Sequence, residues 1–149
     1  MWRICEARYA AFDGAGARAF GGRWNHPGTP VVYTSGTLAL AALEIFVHLD
    51  MPEAADSLVA VPADVPASLP FTSVPASDLP VRWRQYPAPD ALADLGTRWT
   101  HDVRTAVLAV PSAVIPHELN YLLNPSHPAF VKIRVGTPQR FSFDPRMWK

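Results

Sequence analysis

The run from Thr37 to Leu49 contains Leu38, Leu40, Leu43, Ile45, Phe46 and Val47, with Glu44 as its one acid. Helical spacing puts apolar side chains on almost every face, so such a segment must pack on more than one side. A carboxylate in those surroundings costs free energy unless something pairs with it. The chain must therefore fold so that partners reach Glu44. The residues just upstream offer Arg23 and Tyr33. Gly21 and Gly22 allow backbone conformations that other residues resist, which predicts a tight turn carrying Arg23 beside Trp24 and Asn25. Val31 to Thr34 reads as a short strand, and Ser35 is the expected cap of the helix.

The remaining punctuation divides the chain into short elements. Trp2 to Cys5 reads as a strand carrying Arg3, and Asp13 to Ala17 as a small-residue loop. Ser57 to Val61 predicts a buried strand. A proline-rich stretch follows, with Val61-Pro62-Ala63, Val65-Pro66-Ala67 and Val74-Pro75-Ala76. Proline donates no ladder hydrogen bond, so this stretch reads as edge strand and extended connection. Val81 to Arg84 is a further short strand candidate. Pro89 to Arg104 places Leu92, Leu95, Trp99 and Val103 at helical spacing, with Trp99 as a core anchor. Ala106 to Val110 is an apolar strand that runs into Pro111-Ser112, a strand end where side chains often reach a pocket. The segment His117 to Pro128 is dense in turn formers, and its asparagines and histidines could line a site. For Asn124 and His127, bonding to nearby backbone is the favoured reading. Phe130 to Val135 alternates like a half-exposed strand, and Gln139 to Phe143 reads as the last one.

Composition narrows the function classes. At 149 residues the chain is expected to be one domain, 1–149. Lys and Arg together number 13, as do Asp and Glu, which argues against a direct nucleic-acid partner but leaves room for a local cationic pocket. The single cysteine, Cys5, excludes an internal disulfide and suits a cytoplasmic protein; it is expected to be packed rather than reactive. No secretory leader is expected, and no apolar run reaches the roughly 18 residues of a membrane span. The five histidines lack metal-ligand spacing, so no metal site is expected.

Several motifs in order resemble one family. They are Gly21-Gly22-Arg23-Trp24-Asn25 with Gly28, Val32-Tyr33-Thr34, and Leu40 to His48 around Glu44. Further on come Val110 to Val114, Asn120 to Pro125 with His127-Pro128, and Phe143 to Arg146. The chain is similar to RES-domain proteins, the toxins of RES–Xre toxin–antitoxin pairs. The family takes its name from an arginine, a glutamate and a serine, matched here by Arg23, Glu44 and Ser112.

The resemblance implies an α+β fold similar to ADP-ribosyltransferases, a single compact domain with mixed, mostly antiparallel sheets and few helices. It implies degradation of NAD+ by cleavage of the nicotinamide–ribose bond, with phosphate or water as acceptor, or ADP-ribosyl transfer to a protein. A non-catalytic binding module is the reading from another class. NAD+ would enter as substrate, with no cofactor. The implied partner is an Xre-type antitoxin, through which the protein would oligomerise. The catalytic set carried over is Glu44, Arg23 and Ser112, and the NAD+-contacting set is Arg3, Arg23, Tyr33, Glu44 and Ser112.

The residue chemistry suits these expectations independently. Breaking the nicotinamide–ribose bond builds positive charge on the sugar, as glycoside hydrolysis does, and a carboxylate such as Glu44 stabilises it. Arginine binds pyrophosphate through a planar fork, which suits Arg23 and Arg3. Tyr33 is expected to stack on nicotinamide or donate its hydroxyl. Ser112 is expected to hydrogen-bond the nicotinamide amide or a phosphate; no His–Asp arrangement marks it as a nucleophile.

Overall fold

The short strands zip into a sheet that bends where its pairing is thinnest. The computed structural model describes residues 1–49 and 57–148. In chain order come β1 (Trp2–Glu6), α1 (Ala15–Phe20), β2 (Val32–Ser35), α2 (Leu38–Phe46), β3 (Leu58–Asp64) and β4 (Phe71–Ser73). They are followed by α3 (Asp90–Asp102), β5 (Val107–Pro111), β6 (Leu119–Leu123), β7 (Arg134–Val135) and β8 (Gln139–Arg140). The strand order is β4-β5-β6-β2-β1-β3-β7, with β8 also on β3. Every described pairing is antiparallel except β4 with β5. β1 and β2 share the single register pair Trp2↔Ser35. With so little ladder there, the two halves of the sheet curl toward each other. Val32, Val107 and Leu123 from one half pack with Val61 and Ala63 from the other, together with Phe12. The result is an α+β half-barrel with three α-helices among the described residues.

The helices cover the outer face of that curl. α2 lays Ala41 over Ile4, Leu58 and Ala60 of β1 and β3. α3 lays Leu92 and Trp99 over Leu108, Val110 and Leu122 of β5 and β6, with Trp24 and Trp83. β2 lies between the two covered regions, so its outward side chains and those of β6 border both helices.

Several expectations are corrected by the local chemistry. α1 forms where a loop was expected; the Asp13 carboxylate accepts from the Ala15 N–H at 2.9 Å and starts a helix with little apolar periodicity. Thr37, not Ser35, caps α2, its hydroxyl accepting from the Leu40 N–H at 3.1 Å. Val81 to Arg84 forms consecutive turns, with Trp83 N–H donating to Pro80 and Gln85 N–H to Arg82. β6 arises inside the segment read as turn-rich, because Asn120, Tyr121, Leu122 and Leu123 pair with both β2 and β5. Phe130 to Val135 is mostly a 3-10 turn (Pro128–Lys132) with a two-residue strand after it. The last strand stops at Arg140; Phe141 and Phe143 instead pack with Phe46 and Trp148 as an aromatic cluster on α2. Cys5 is buried, and Trp99 anchors the core with its indole N–H on Thr105 at 3.0 Å. No helix among the described residues is long and apolar enough to cross a membrane.

Candidate active site

The Gly-Gly turn is built as a rigid pedestal for Arg23. Gly22 and Asn25 close the turn through Gly22 N–H to Asn25 C=O at 2.9 Å. The fully buried Asn25 amide donates to the carbonyls of Ala17, His26 and Thr29 at 2.9 to 3.1 Å. Its Oδ1 accepts from the Tyr33 hydroxyl at 2.7 Å, and that hydroxyl accepts from the Trp24 N–H at 3.0 Å. A Cβ on Gly22 would stand 2.6 Å from the Tyr33 oxygen, so only glycine allows this approach. A Cβ on Gly96 of α3 would collide with the Trp24 carbonyl, which is how the helix seats the turn from behind. His26 adds its N–H on Thr97 at 3.0 Å and its ring on Asp94 at 2.7 Å.

Arg23 stands on the tip of that turn. Its Nη1 donates to the carbonyls of Trp83 at 2.6 Å and Gln85 at 3.2 Å. Among the described residues nothing accepts from Nε or Nη2, the edge that forks onto a phosphate. Partial burial lowers the pKa of the guanidinium, opposed by the nearby charges of Glu44 and, less, Tyr33. Arg23 stays cationic at any ordinary pH.

Glu44 is held by neutral donors rather than by that cation. Its Oε1 accepts from the Ser112 hydroxyl and from the Asn120 amide, each at 2.6 Å. The Asn120 amide is oriented in turn by the Ser35 hydroxyl, which donates to its Oδ1 at 2.7 Å. Register supplies the geometry: Asn120 of β6 is paired with both Ser35 of β2 and Val110 of β5. Among the described residues no hydrogen bond is made to Oε2, and Arg23 and Glu44 form no ion pair. The expected Arg23–Glu44 and Tyr33–Glu44 pairings are therefore corrected to Ser112–Glu44–Asn120.

The other sequence-derived residues divide sharply. Ser112 is fully buried; its oxygen accepts from the Val114 and Ile115 N–H groups at 3.1 and 2.9 Å, and its proton goes to Glu44. In this structure its one donor is therefore taken by the Glu44 carboxylate. Tyr33 likewise has its hydroxyl committed, and burial raises that group's pKa above its ordinary range. What Tyr33 can still offer is a ring face. Arg3 is not brought to the cluster. It pairs in register with Val61, on the inner face of the sheet, and its guanidinium lies over the Phe12 ring at 5.9 Å from the centroid. His127 fixes local backbone through Ala129, whereas Asn124 bonds both the nearby Ser126 N–H and the Thr100 carbonyl 24 residues away. Asn120, one of the asparagines expected to line a site, is brought to Glu44, although no role was attached to it. No local pattern marks it; register with Ser35 of β2 and Val110 of β5 puts it on the outer face. No group of histidine, cysteine, aspartate and glutamate among the described residues is arranged to hold a metal.

The sequence profile of the RES domain matches residues 1–144. The chain belongs to the RES domain family. Its relatives include the Prs ADP-ribosylating toxin of Sphingobium sp. (strain YBL2), 40% identical over 99% of this chain and 95% of that one. Toxin Res of Yersinia enterocolitica is 36% identical over 99% and 98% of the two chains. Among solved structures, the toxin–antitoxin complex MbcT–MbcA of M. tuberculosis contains a chain that superposes with a TM-score of 0.71. That match covers 95% of this RES domain and 82% of the other chain at 16% identity, and shows a shared fold.

Proposed function

We propose that this RES domain is the toxin of a toxin–antitoxin pair and acts by cleaving the nicotinamide–ribose bond of NAD+. The observation that carries the reading is Glu44, a carboxylate fixed by two neutral donors on one oxygen and unbonded on the other among the described residues. In the cleavage the C–N bond breaks with its electron pair going to the pyridinium nitrogen, so nicotinamide leaves neutral. Positive charge develops on the ribose, and the free Glu44 oxygen faces that charge or holds a ribose hydroxyl. Arg23 offers its Nε–Nη2 fork to the pyrophosphate, and Tyr33 its ring to the nicotinamide. Phosphate or water then completes the reaction at the ribose carbon. The relative at 40% identity, named an ADP-ribosylating toxin, favours a second reading in which a protein side chain is the acceptor.

The partner proposed is an Xre-type antitoxin that covers the site in the cytoplasm and through which the toxin oligomerises. The structural neighbour was solved as a toxin–antitoxin complex, which supports a partner of that kind. The test is to incubate the purified protein with NAD+, with and without inorganic phosphate, and to follow free nicotinamide. Release accelerated by phosphate identifies phosphorolysis, and release indifferent to it identifies hydrolysis. Release only with a cell extract, together with label on a protein, identifies ADP-ribosyl transfer. A folded protein that releases no nicotinamide in any arm leaves the binding-module reading.

A further inference from the structure

The segment from Val81 to Tyr86 bridges the two sides of the site. Its consecutive turns are pinned by the buried Trp83 indole in the α3 core. From one side it receives Arg23, whose Nη1 bonds the Trp83 carbonyl at 2.6 Å. That carbonyl belongs to the peptide joining Trp83 to Arg84. On the other side Arg84 Nε donates to the Ala113 carbonyl at 3.0 Å. Ala113 directly follows Ser112, whose hydroxyl bonds Glu44 at 2.6 Å. The contacts thus run as an open chain from Arg23 through the Trp83–Arg84 peptide and Ala113 to Ser112 and Glu44.

Arg23 lies within electrostatic range of Glu44, and Arg84 is tied to the residue that follows Ser112. Arg84 is exposed, and its single described hydrogen bond uses Nε, which leaves both terminal nitrogens as donors. Neither arginine is in an ion pair among the described residues. The chain as a whole balances 13 basic against 13 acidic residues, so this local excess of cation is not a by-product of a basic protein. Planar guanidinium forks match phosphate oxygens.

We propose that Arg84 is a second phosphate-binding residue of this site, acting beside Arg23. The assignment rests on the NAD+-cleaving reading for its choice of ligand. The phosphate has two possible sources, the pyrophosphate of the dinucleotide or free phosphate as acceptor. Titration calorimetry with ADP-ribose and with inorganic phosphate, on the wild type and on Arg84→Gln, separates them. A lost charge-assisted contact weakens binding by about tenfold to a hundredfold. Weakening toward ADP-ribose, with a matching rise in KM for NAD+, assigns Arg84 to the pyrophosphate. Weakening toward inorganic phosphate alone assigns it to the acceptor. Thermal melts check the fold; should Arg84→Gln fail to fold, Arg84→Met keeps the length of the aliphatic stem and gives the same reading. Unchanged binding of both probes in a folded variant overturns the assignment, while nicotinamide release by the wild type leaves the reaction itself standing. Wild-type protein that binds ADP-ribose through Arg84 but releases no nicotinamide does the reverse.

Discussion

Glu44→Gln separates the charge of this side chain from its shape. In the structure one oxygen takes both donors, Ser112 and Asn120, at 2.6 Å each. A glutamine carbonyl placed there keeps both hydrogen bonds, and the amide NH2 falls at the free oxygen. Each bond changes from a charged to a neutral acceptor, a loss of about 1 kcal/mol apiece. The summed cost of about 2 kcal/mol lowers the melting temperature by roughly 4–8 °C in a domain of this length. The effect on the reaction is larger, because the charge is needed where the ribose becomes positive. Removing a preorganised electrostatic contact of that kind costs about 100-fold or more in rate. Initial rates of nicotinamide release at saturating NAD+, with a melt on the same preparation, give both numbers. Wild-type turnover by a folded Glu44→Gln protein would refute the role of the charge. A large loss of stability with little loss of specific activity would make Glu44 a structural residue.

Arg23→Lys retains a cation but loses the fork, and its shorter hydrogen-bonding reach frees the Trp83 and Gln85 carbonyls. ADP-ribose affinity is expected to fall about tenfold or more, and an unchanged calorimetric Kd removes Arg23 from pyrophosphate binding. Gly96→Ala places a methyl against the Trp24 carbonyl and is expected to cost about 1–3 kcal/mol despite alanine's better helix propensity. A drop in melting temperature of roughly 5 °C checks it, and an unaltered melt would show that α3 can move away from the turn. Induced alone in bacteria, the chain is expected to arrest growth and lower cellular NAD+, with both restored by the co-induced antitoxin. Arrest at constant NAD+ would shift the assignment to protein ADP-ribosylation.

The parts legible in the sequence are those whose determinants are local. The Leu38–Phe46 helix, α3 and the apolar strand before Ser112 follow from periodicity, and each lies within a few residues of its expected place. β6 was hidden because Asn120, Asn124 and His127 favour turns when taken by themselves; only pairing with β2 and β5 on both sides makes Leu119–Leu123 a strand. The partner of Glu44 was hidden for the same reason. Sequence proximity pointed to Arg23 and Tyr33, whereas Ser112 and Asn120 lie 68 and 76 residues away along the chain. Arg3 shows the converse limit. Its neighbours suggest a short strand correctly, yet which face it takes depends on register with Val61, a fact that no local pattern carries.

The corrected partners of Glu44 bear on the chemistry more than the expected ones would have. A half-buried carboxylate still needs compensation, and a direct Arg23 contact would have supplied it by cancelling its charge. Unit charges about 4 Å apart attract by about 4 kcal/mol near a protein surface, and a substrate cation would have to compete with that. Hydrogen bonds from neutral donors to a charged group give about 1.5–3 kcal/mol each and leave the net charge in place. Ser112 and Asn120 supply two such bonds to one oxygen. Arg23 is turned aside by the Trp83 and Gln85 carbonyls, which hold its Nη1. On the proposed reading this separates two tasks that one ion pair would have merged. The carboxylate keeps its field for a sugar becoming positive, and the guanidinium keeps its fork for the phosphates beside it.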